Sequence, residues 1–208
     1  LRGNVNKMAG REGLLRSEVY KDEVDKLLPV ITPGLSDSGM LDNVLELLTA
    51  GGRPIEHAMM MMVPGTFGPK YHISQDKRAF YEYHAAIMEP WDGPAAIAFT
   101  DGAKVGALLD RNGLRPARYV VTKSGRVVMA SEVGVLPIAA KDVLQKGRLG
   151  PGTMLLVDTA AGRIIRDNEV KAAVSRSKPY RRWLESNRIE LRGLVGEPGD
   201  LRGGHDTL

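Results

Sequence analysis

The amino-acid sequence predicts an α+β fold, and three observations predict it. Residues 98–121 (AFTDGAKVGALLDRNGLRPARYVV) alternate short apolar runs with turn signals, as antiparallel strands do. Two stretches before them carry apolar residues at helical spacing behind a capping serine. After them come a second hairpin pattern and a further helical stretch.

In chain order, residues 1–9 are polar, with a short helix expected after Gly3, and residues 17–26 read as charged surface. An apolar segment, 27–31, is broken by Pro29 and stopped by Pro33-Gly34. Residues 35–48 (LSDSGMLDNVLELL) predict a helix. Ser36 can accept a hydrogen bond from the first free backbone N–H groups. Leu41, Val44, Leu45 and Leu48 make one apolar face, and Gly51-Gly52 supplies a left-handed stop. Asp37 falls in the first turn, where the helix dipole favours an anion by about 0.3–1 kcal/mol. Pro54 opens a second helix reaching about Met62. Its four consecutive methionines, 59–62, read as core filler, because Met packs irregular gaps. Ser74 caps a third helix, 75–88, with Phe80, Tyr83, His84 and Ile87 on one face, and Pro90 stops it. His84 reads as a core or boundary residue. His57 and His72 have no carboxylate at zinc-binding spacing.

The middle of the chain reads as an antiparallel meander. Thr100-Asp101-Gly102 and Asp110-Arg111-Asn112-Gly113 are its turns, the Asn-Gly pair supplying positive φ cheaply. The run 105–109 suits a strand buried on both faces. A new strand follows at 119–122, with Pro116 at its start, and another at 126–131. Beyond lie a short helix at 140–146, a tight loop at 147–152, a hairpin of 154–157 with 163–166 around Ala161-Gly162, and a helix over 168–175. From Arg176 the composition turns basic (SKPYRRWLESNRIELRG) and helical. Beyond Gly193 there is too little apolar content to order a chain. These shifts place a domain edge near Ser175, giving one unit at 1–175 and a linker, or the start of a following domain, at 176–208.

The whole chain bounds the function classes. It has 208 residues, 43% hydrophobic and 26% charged, with net charge +4. That is an ordinary globular composition. No run approaches the roughly 20 apolar residues that span a bilayer, so no membrane is expected as a partner. A basic excess late in the chain, from Arg163 to Arg192, admits nucleic-acid binding through Arg176 to Arg192, against which stands a solvated interdomain helix. No aromatic-rich motif accompanies it, so no nucleic acid is expected. There are no cysteines. That removes disulfides, thiolate metal sites and any thiol nucleophile from these residues.

Motif order says more. SDSGMLDN, HAAIMEPWDGPA, LLDRNGLRPARY, VVMASEVGVL and GRLGPGTMLLVD, in that sequence, resemble the glutaminase domain of the glutamate synthase large subunit, over residues 1 to about 194. EPWDGPA and DRNGLRPARY together carry the resemblance; the second alone marks the wider class II glutamine amidotransferases. The resemblance implies an N-terminal-nucleophile hydrolase fold, an αββα sandwich of two antiparallel sheets between helices, here partial, with the first strands missing. In that family an N-terminal cysteine attacks the side-chain amide of glutamine, its own α-amine serves as base, and an Asn-Gly pair holds the oxyanion. The released ammonia passes to a domain where reduced FMN and an iron–sulfur cluster convert 2-oxoglutarate to glutamate.

Carried over residue by residue, the resemblance implies that Asp37 binds the α-amino group of glutamine, as a fixed ammonium requires a carboxylate partner. Asp37 also suits a helix N-terminus, and both readings can hold. Gly34 and Ser36 would shape that loop. Asp110, Arg111 and Arg115 match the strand-turn signature and read as structural or as part of a route between domains. Glu89 and Trp91, of EPWDG, read as packing near the site. No catalytic residue is assigned: the nucleophilic cysteine and the Asn-Gly pair are expected to precede Leu1, and the chain is read as a truncated fragment. The motif VPGTFGPK, 63–70, stands where the family has Pro-Glu-Ala-Trp. The expected partners are glutamine, the remaining domains of the large subunit and a small NADPH-oxidising subunit. The expected compartment is the cytoplasm, or a plastid for a ferredoxin-dependent enzyme. No cofactor is expected within these residues. Two alternatives stand beside this reading: another class II amidotransferase, or a catalytically dead relative serving as a binding module.

Overall fold

The computed structural model describes residues 12–189. The helix expected after Gly3 and the tail beyond Gly193 lie outside the described residues. Among the described residues, five α-helices and seven strands follow a polar entry segment: α1 Asp37–Ala50, α2 Ile55–Met62, α3 Gln75–Ile87, β1 Ala96–Thr100, β2 Lys104–Leu109, β3 Arg118–Thr122, β4 Val127–Ala130, β5 Val143–Arg148, β6 Met154–Asp158, β7 Arg163–Ile165, α4 Asp167–Ser175 and α5 Tyr180–Asn187. The entry segment, read as charged surface, forms a 3-10 helix at Lys21–Leu27 that buries one residue, Val24.

The helix signals act as the sequence implies. Ser36 Oγ accepts from the Gly39 N–H at 3.3 Å, and Ser74 Oγ accepts from the Lys77 N–H at 3.3 Å. Each satisfies a donor that the first helical turn leaves unpaired. Gly52, at φ +88°, provides the left-handed stop of α1. Pro54 is the residue before α2, not its first turn. All four methionines of α2 are 0–4% exposed, so beyond its first turn, where Glu56 pairs with Lys104 at 2.7 Å, this helix is buried on every side. In α3 the buried positions are Ala79, Phe80, Tyr81 and His84. Tyr83 is half-buried, and Ile87 is 45% exposed. Phe80 and His84 of the expected face are thus buried, while Ala79 and Tyr81 take the places expected of Tyr83 and Ile87; α2, α4 and α5 all pack on α3.

The strands form two antiparallel sheets, one ordered β1-β2-β6-β7 and the other β4-β3-β5. This corrects the single meander. The turn after β2 does not fold back onto β3; it starts a crossing, residues 110–117, into the second sheet. At the ends of the crossing Leu109 N–H donates to Thr153 O at 3.1 Å and Leu149 N–H to Ala117 O at 2.9 Å. A second correction concerns residues 140–146. One 3-10 turn, Ala140–Asp142, leads into strand β5. VLQKGR is a poor isolated strand, but Val120 and Val121 of β3 pair with its Lys146 and Gln145, so long-range pairing overrides local preference. The hairpin of β6 and β7 forms as expected, with Gly162 at φ +62°.

The core lies between the helices and one face of the first sheet. Phe99, Leu108, Met154 and Leu156 point into it, flanked by Ile97 and Ile165. These side chains share a face because Phe99 opposes Gly106, Leu108 opposes Met154, and Gly106 opposes Leu156 in the ladders. Burying each large aliphatic side chain contributes about 1.5–3 kcal/mol. Within β2, Gly106 to Leu109 are buried while Val105 is 48% exposed. No residue of β3, β4 or β5 belongs to this core.

Candidate functional site

Two motifs separated in the chain are clasped together. Trp91, of EPWDGPA, is 2% exposed, and its backbone N–H donates to Met62 O at 2.7 Å. The next residue, Asp92, takes a two-pronged ion pair from Arg111, at 3.1 Å from Nε and 2.6 Å from Nη2. Both partners are half-exposed, so this bridge contributes about 0.2–1 kcal/mol. The stronger tie is Asp110, 1% exposed. Its Oδ1 accepts from the Ala95 N–H at 3.0 Å and its Oδ2 from the Asn112 N–H at 2.9 Å. Its carbonyl accepts from Gly113 N–H at 3.0 Å and Gly152 N–H at 2.8 Å. One buried residue thus joins the end of EPWDGPA, the DRNG turn and the GRLGPG loop. Leaving a buried donor unmatched costs about 1–3 kcal/mol each, which explains why only a short acceptor with two oxygens suits position 110. Gly113, at φ +61°, closes the contact: a Cβ there would lie 2.7 Å from Pro151 Cα. Glu89 is half-buried and Arg115 exposed.

Asp37 lies elsewhere, in the first turn of α1, and is exposed. Ser36 Oγ, besides capping the helix, sits 2.9 Å from Ser38 Oγ. Gly34 takes φ +82° and turns the chain into the loop. Thr32 N–H donates to Asn43 Oδ1 at 3.0 Å, anchoring the loop to the helix it precedes. No described residue hydrogen-bonds or ion-pairs with the Asp37 carboxylate. It makes no contact of that kind with Glu89, Trp91, Asp110, Arg111 or Arg115, so the expected site residues fall into two groups.

Sequence reading treated the histidines singly, and the structure joins two of them. His57 of α2 and His84 of α3 are 5% and 2% exposed, with ring centroids 4.9 Å apart. His57 Nε2 lies 3.2 Å from Tyr180 Oη, and His84 Nδ1 is 2.7 Å from Phe80 O. Burial, the neighbouring His84 and Arg53 push the His57 pKa down to about 3. Burial pushes His84 down to about 4, partly opposed by the Phe80 carbonyl. Both rings are therefore neutral at neutral pH. Burial also raises the Tyr81 phenol to about 12. The one available signal was that each histidine sits among buried apolar positions of its own helix; their meeting, 27 residues apart, was not legible.

Among the described residues no group of three His, Asp or Glu side chains could hold a metal ion. The chain has no cysteine to ligate an iron–sulfur cluster, so no step here runs through one. No helix among the described residues is long and apolar enough to cross a membrane.

The fold, with paired antiparallel sheets and the DRNG crossing, agrees with a glutamine amidotransferase of the second class. The family model for class II glutamine amidotransferases matches residues 1–183, and the chain belongs to that family. Within it, the chain is 49% identical over 92% of its length to the glutamate synthase [NADPH] large chain of Bacillus subtilis. It is 49% identical over 97% of its length to the glutamate synthase [NADH] of Saccharomyces cerevisiae. It is 46% identical over 90% of its length to the ferredoxin-dependent glutamate synthase of Pyropia yezoensis. The chain spans only 13%, 9% and 12% of the lengths of these three relatives.

Proposed function

We propose that this chain is part of the glutamine-hydrolysing domain of a glutamate synthase, and that Asp37 receives the α-ammonium group of glutamine. The observation that carries the Asp37 assignment is its state: exposed, held by a capped helix start, and engaged by no described donor. A carboxylate so placed is open to a charge-assisted hydrogen bond from an ammonium. The buried Asp110 is committed to backbone donors and is assigned a structural role. The similarity to three glutamate synthases that differ in named electron donor supports the domain but not one donor.

In this reading the ammonia serves the reductive conversion of 2-oxoglutarate to glutamate elsewhere in a longer polypeptide, where FMN and an iron–sulfur cluster reside. Residues 1–175 form the amidotransferase unit, and 176–208 lead into the next domain, with α5 folded back on α3. Partners are the remaining domains and a small NADPH-oxidising subunit, in the cytoplasm or, for a ferredoxin-dependent form, a plastid. The thiol nucleophile lies outside this cysteine-free chain, so the 208 residues alone hydrolyse no glutamine.

The test has two arms. The purified chain should release ammonia from glutamine at the uncatalysed rate only; faster release overturns the assignment of the nucleophile. In a longer polypeptide that carries the thiol, Asp37→Asn should raise KM for glutamine at least tenfold with a smaller change in kcat, since the contact is made in ground and transition states alike. An unchanged KM removes Asp37 from the site. A second reading, a binding module without hydrolysis, is also compatible with a cysteine-free chain; a longer polypeptide that binds glutamine but never cleaves it would support it.

A further inference from the structure

A cavity of about 310 Å³ opens where the crossing enters the second sheet, walled by residues 113–118 and 148–151. Three arginines line it: Arg115, Arg118 and Arg148. No carboxylate does. Arg118 and Arg148 are direct partners in the β3–β5 ladder. Directly opposed residues share a sheet face with Cβ atoms about 4.5–5.5 Å apart, and like charges there are destabilising. On the other side of Arg118 its ladder partner is Ala130, which supplies no counter-charge.

Four arginines elsewhere in the described residues show what a matched guanidinium looks like here. Arg111, Arg163, Arg176 and Arg188 each hold an Asp or Glu within 3.0 Å. No described residue forms an ion pair with the three at the cavity. The frame beneath them is fixed. Asp110 O binds the N–H groups of both Gly113 and Gly152, Leu149 N–H donates to Ala117 O, and Gly113 fits against Pro151 with no room for a Cβ. The backbone that carries the arginines is thus fixed, with Arg115 in the crossing and Arg118 and Arg148 facing one another at the ends of β3 and β5. Such an arrangement is stable when an anion supplies the missing charge, and guanidinium forks match the paired oxygens of carboxylate and phosphate groups.

We propose that Arg115, Arg118 and Arg148 form a binding site for a small molecule carrying a doubly charged oxyanion, either a phosphate group or a pair of carboxylates. The site is independent of the glutamine assignment and shares no residue with Asp37.

Calorimetric titration of the full chain at low ionic strength, with inorganic phosphate and separately with malonate, tests it. Binding of either at one site per chain is expected; preference for phosphate assigns a phosphate-bearing ligand, preference for malonate a dicarboxylate. The triple variant Arg115→Gln, Arg118→Gln, Arg148→Gln should weaken binding at least tenfold while circular dichroism stays unchanged, since all three side chains are exposed. Arg118→Lys should give an intermediate loss, because it keeps the charge and loses the fork. Arg163→Gln, whose partner is Glu169, should bind as the parent does. Affinity unchanged in the triple variant, or an equal response to chloride at matched ionic strength, overturns the proposal. So does a short RNA that binds more tightly than either anion and loses affinity in the triple variant, which would make the patch a nucleic-acid surface.

Discussion

The same device occurs once in each sheet, and its two settings differ. In the first sheet Phe99 of β1 is the ladder partner of Gly106 in β2, and its ring lies where a Cβ on that glycine would go. In the second, Tyr119 of β3 is the partner of Gly147 in β5, and its ring lies 2.6 Å from such a Cβ. An aromatic ring thus covers the glycine of the adjacent strand in both. Phe99 is 6% exposed and sits in the helix-covered core; Tyr119 is half-buried and belongs to no core cluster. The strands of the second sheet contact chiefly one another. Pairing geometry is therefore present in both sheets, whereas burial, which supplies most of the stability, is concentrated in one.

That contrast can be broken most directly by truncation. Leu156→Ala, in the first sheet, should cost about 2–5 kcal/mol in urea unfolding, whereas Val128→Ala in β4 should cost less than about 1 kcal/mol. Equal costs would show that the second sheet is packed as tightly as the first. Alanine at the paired glycines sharpens the comparison. Gly106→Ala should destabilise by about 1–3 kcal/mol, because Phe99 has no space to retreat. Gly147→Ala should shift the thermal midpoint less, since Tyr119 can swing toward solvent; a larger shift for Gly147 would reverse the reading.

Acid separates the two halves by another route. The folded-state pKa values of His57 and His84, about 3 and about 4, lie below the ordinary value of 6.5. The unfolded chain takes up protons below about pH 6.5 while the folded chain does not. Stability from this pair is complete above that pH and falls as pH drops toward 4, by up to about 1.4 kcal/mol per unit for each ring. Because His57 meets Tyr180 at the start of α5, Trp183 fluorescence should report the loss at the helical end. His57→Gln should flatten the profile between pH 6.5 and 4, and a profile as steep as the parent's would exclude the pair as its source.

What the sequence made legible was local. Ser36 and Ser74 announce their helices because capping is decided within four residues. The methionines of α2 announce burial because nothing polar interrupts them. Strand β5 was hidden: with neither of its faces in the core, VLQKGR carries no apolar alternation, and only its partner β3 makes it a strand. The single meander failed for a related reason. Asp110-Arg111-Asn112-Gly113 has the composition of a hairpin turn, but its aspartate is used to hold Ala95, Asn112 and Gly152, and the chain leaves for another sheet. At the candidate site, the Ser36 cap and the first-turn position of Asp37 were readable from the sequence. The His57–His84–Tyr180 contact joins three distant segments, and Arg148 meets Arg118 and the nearby Arg115 only through the β3–β5 register.

The Asp110 junction also dictates where the polypeptide tolerates being opened. New termini or an inserted module at residues 160–162, an exposed tip between β6 and β7, would leave every tie at that junction intact. A single extra residue between Asp110 and Gly113 would misalign the amides converging on one carbonyl and unlatch one sheet from the other. Engineering of this domain, whether by permutation or by fusion, has a permissive corner and a forbidden one, and they lie on the same sheet.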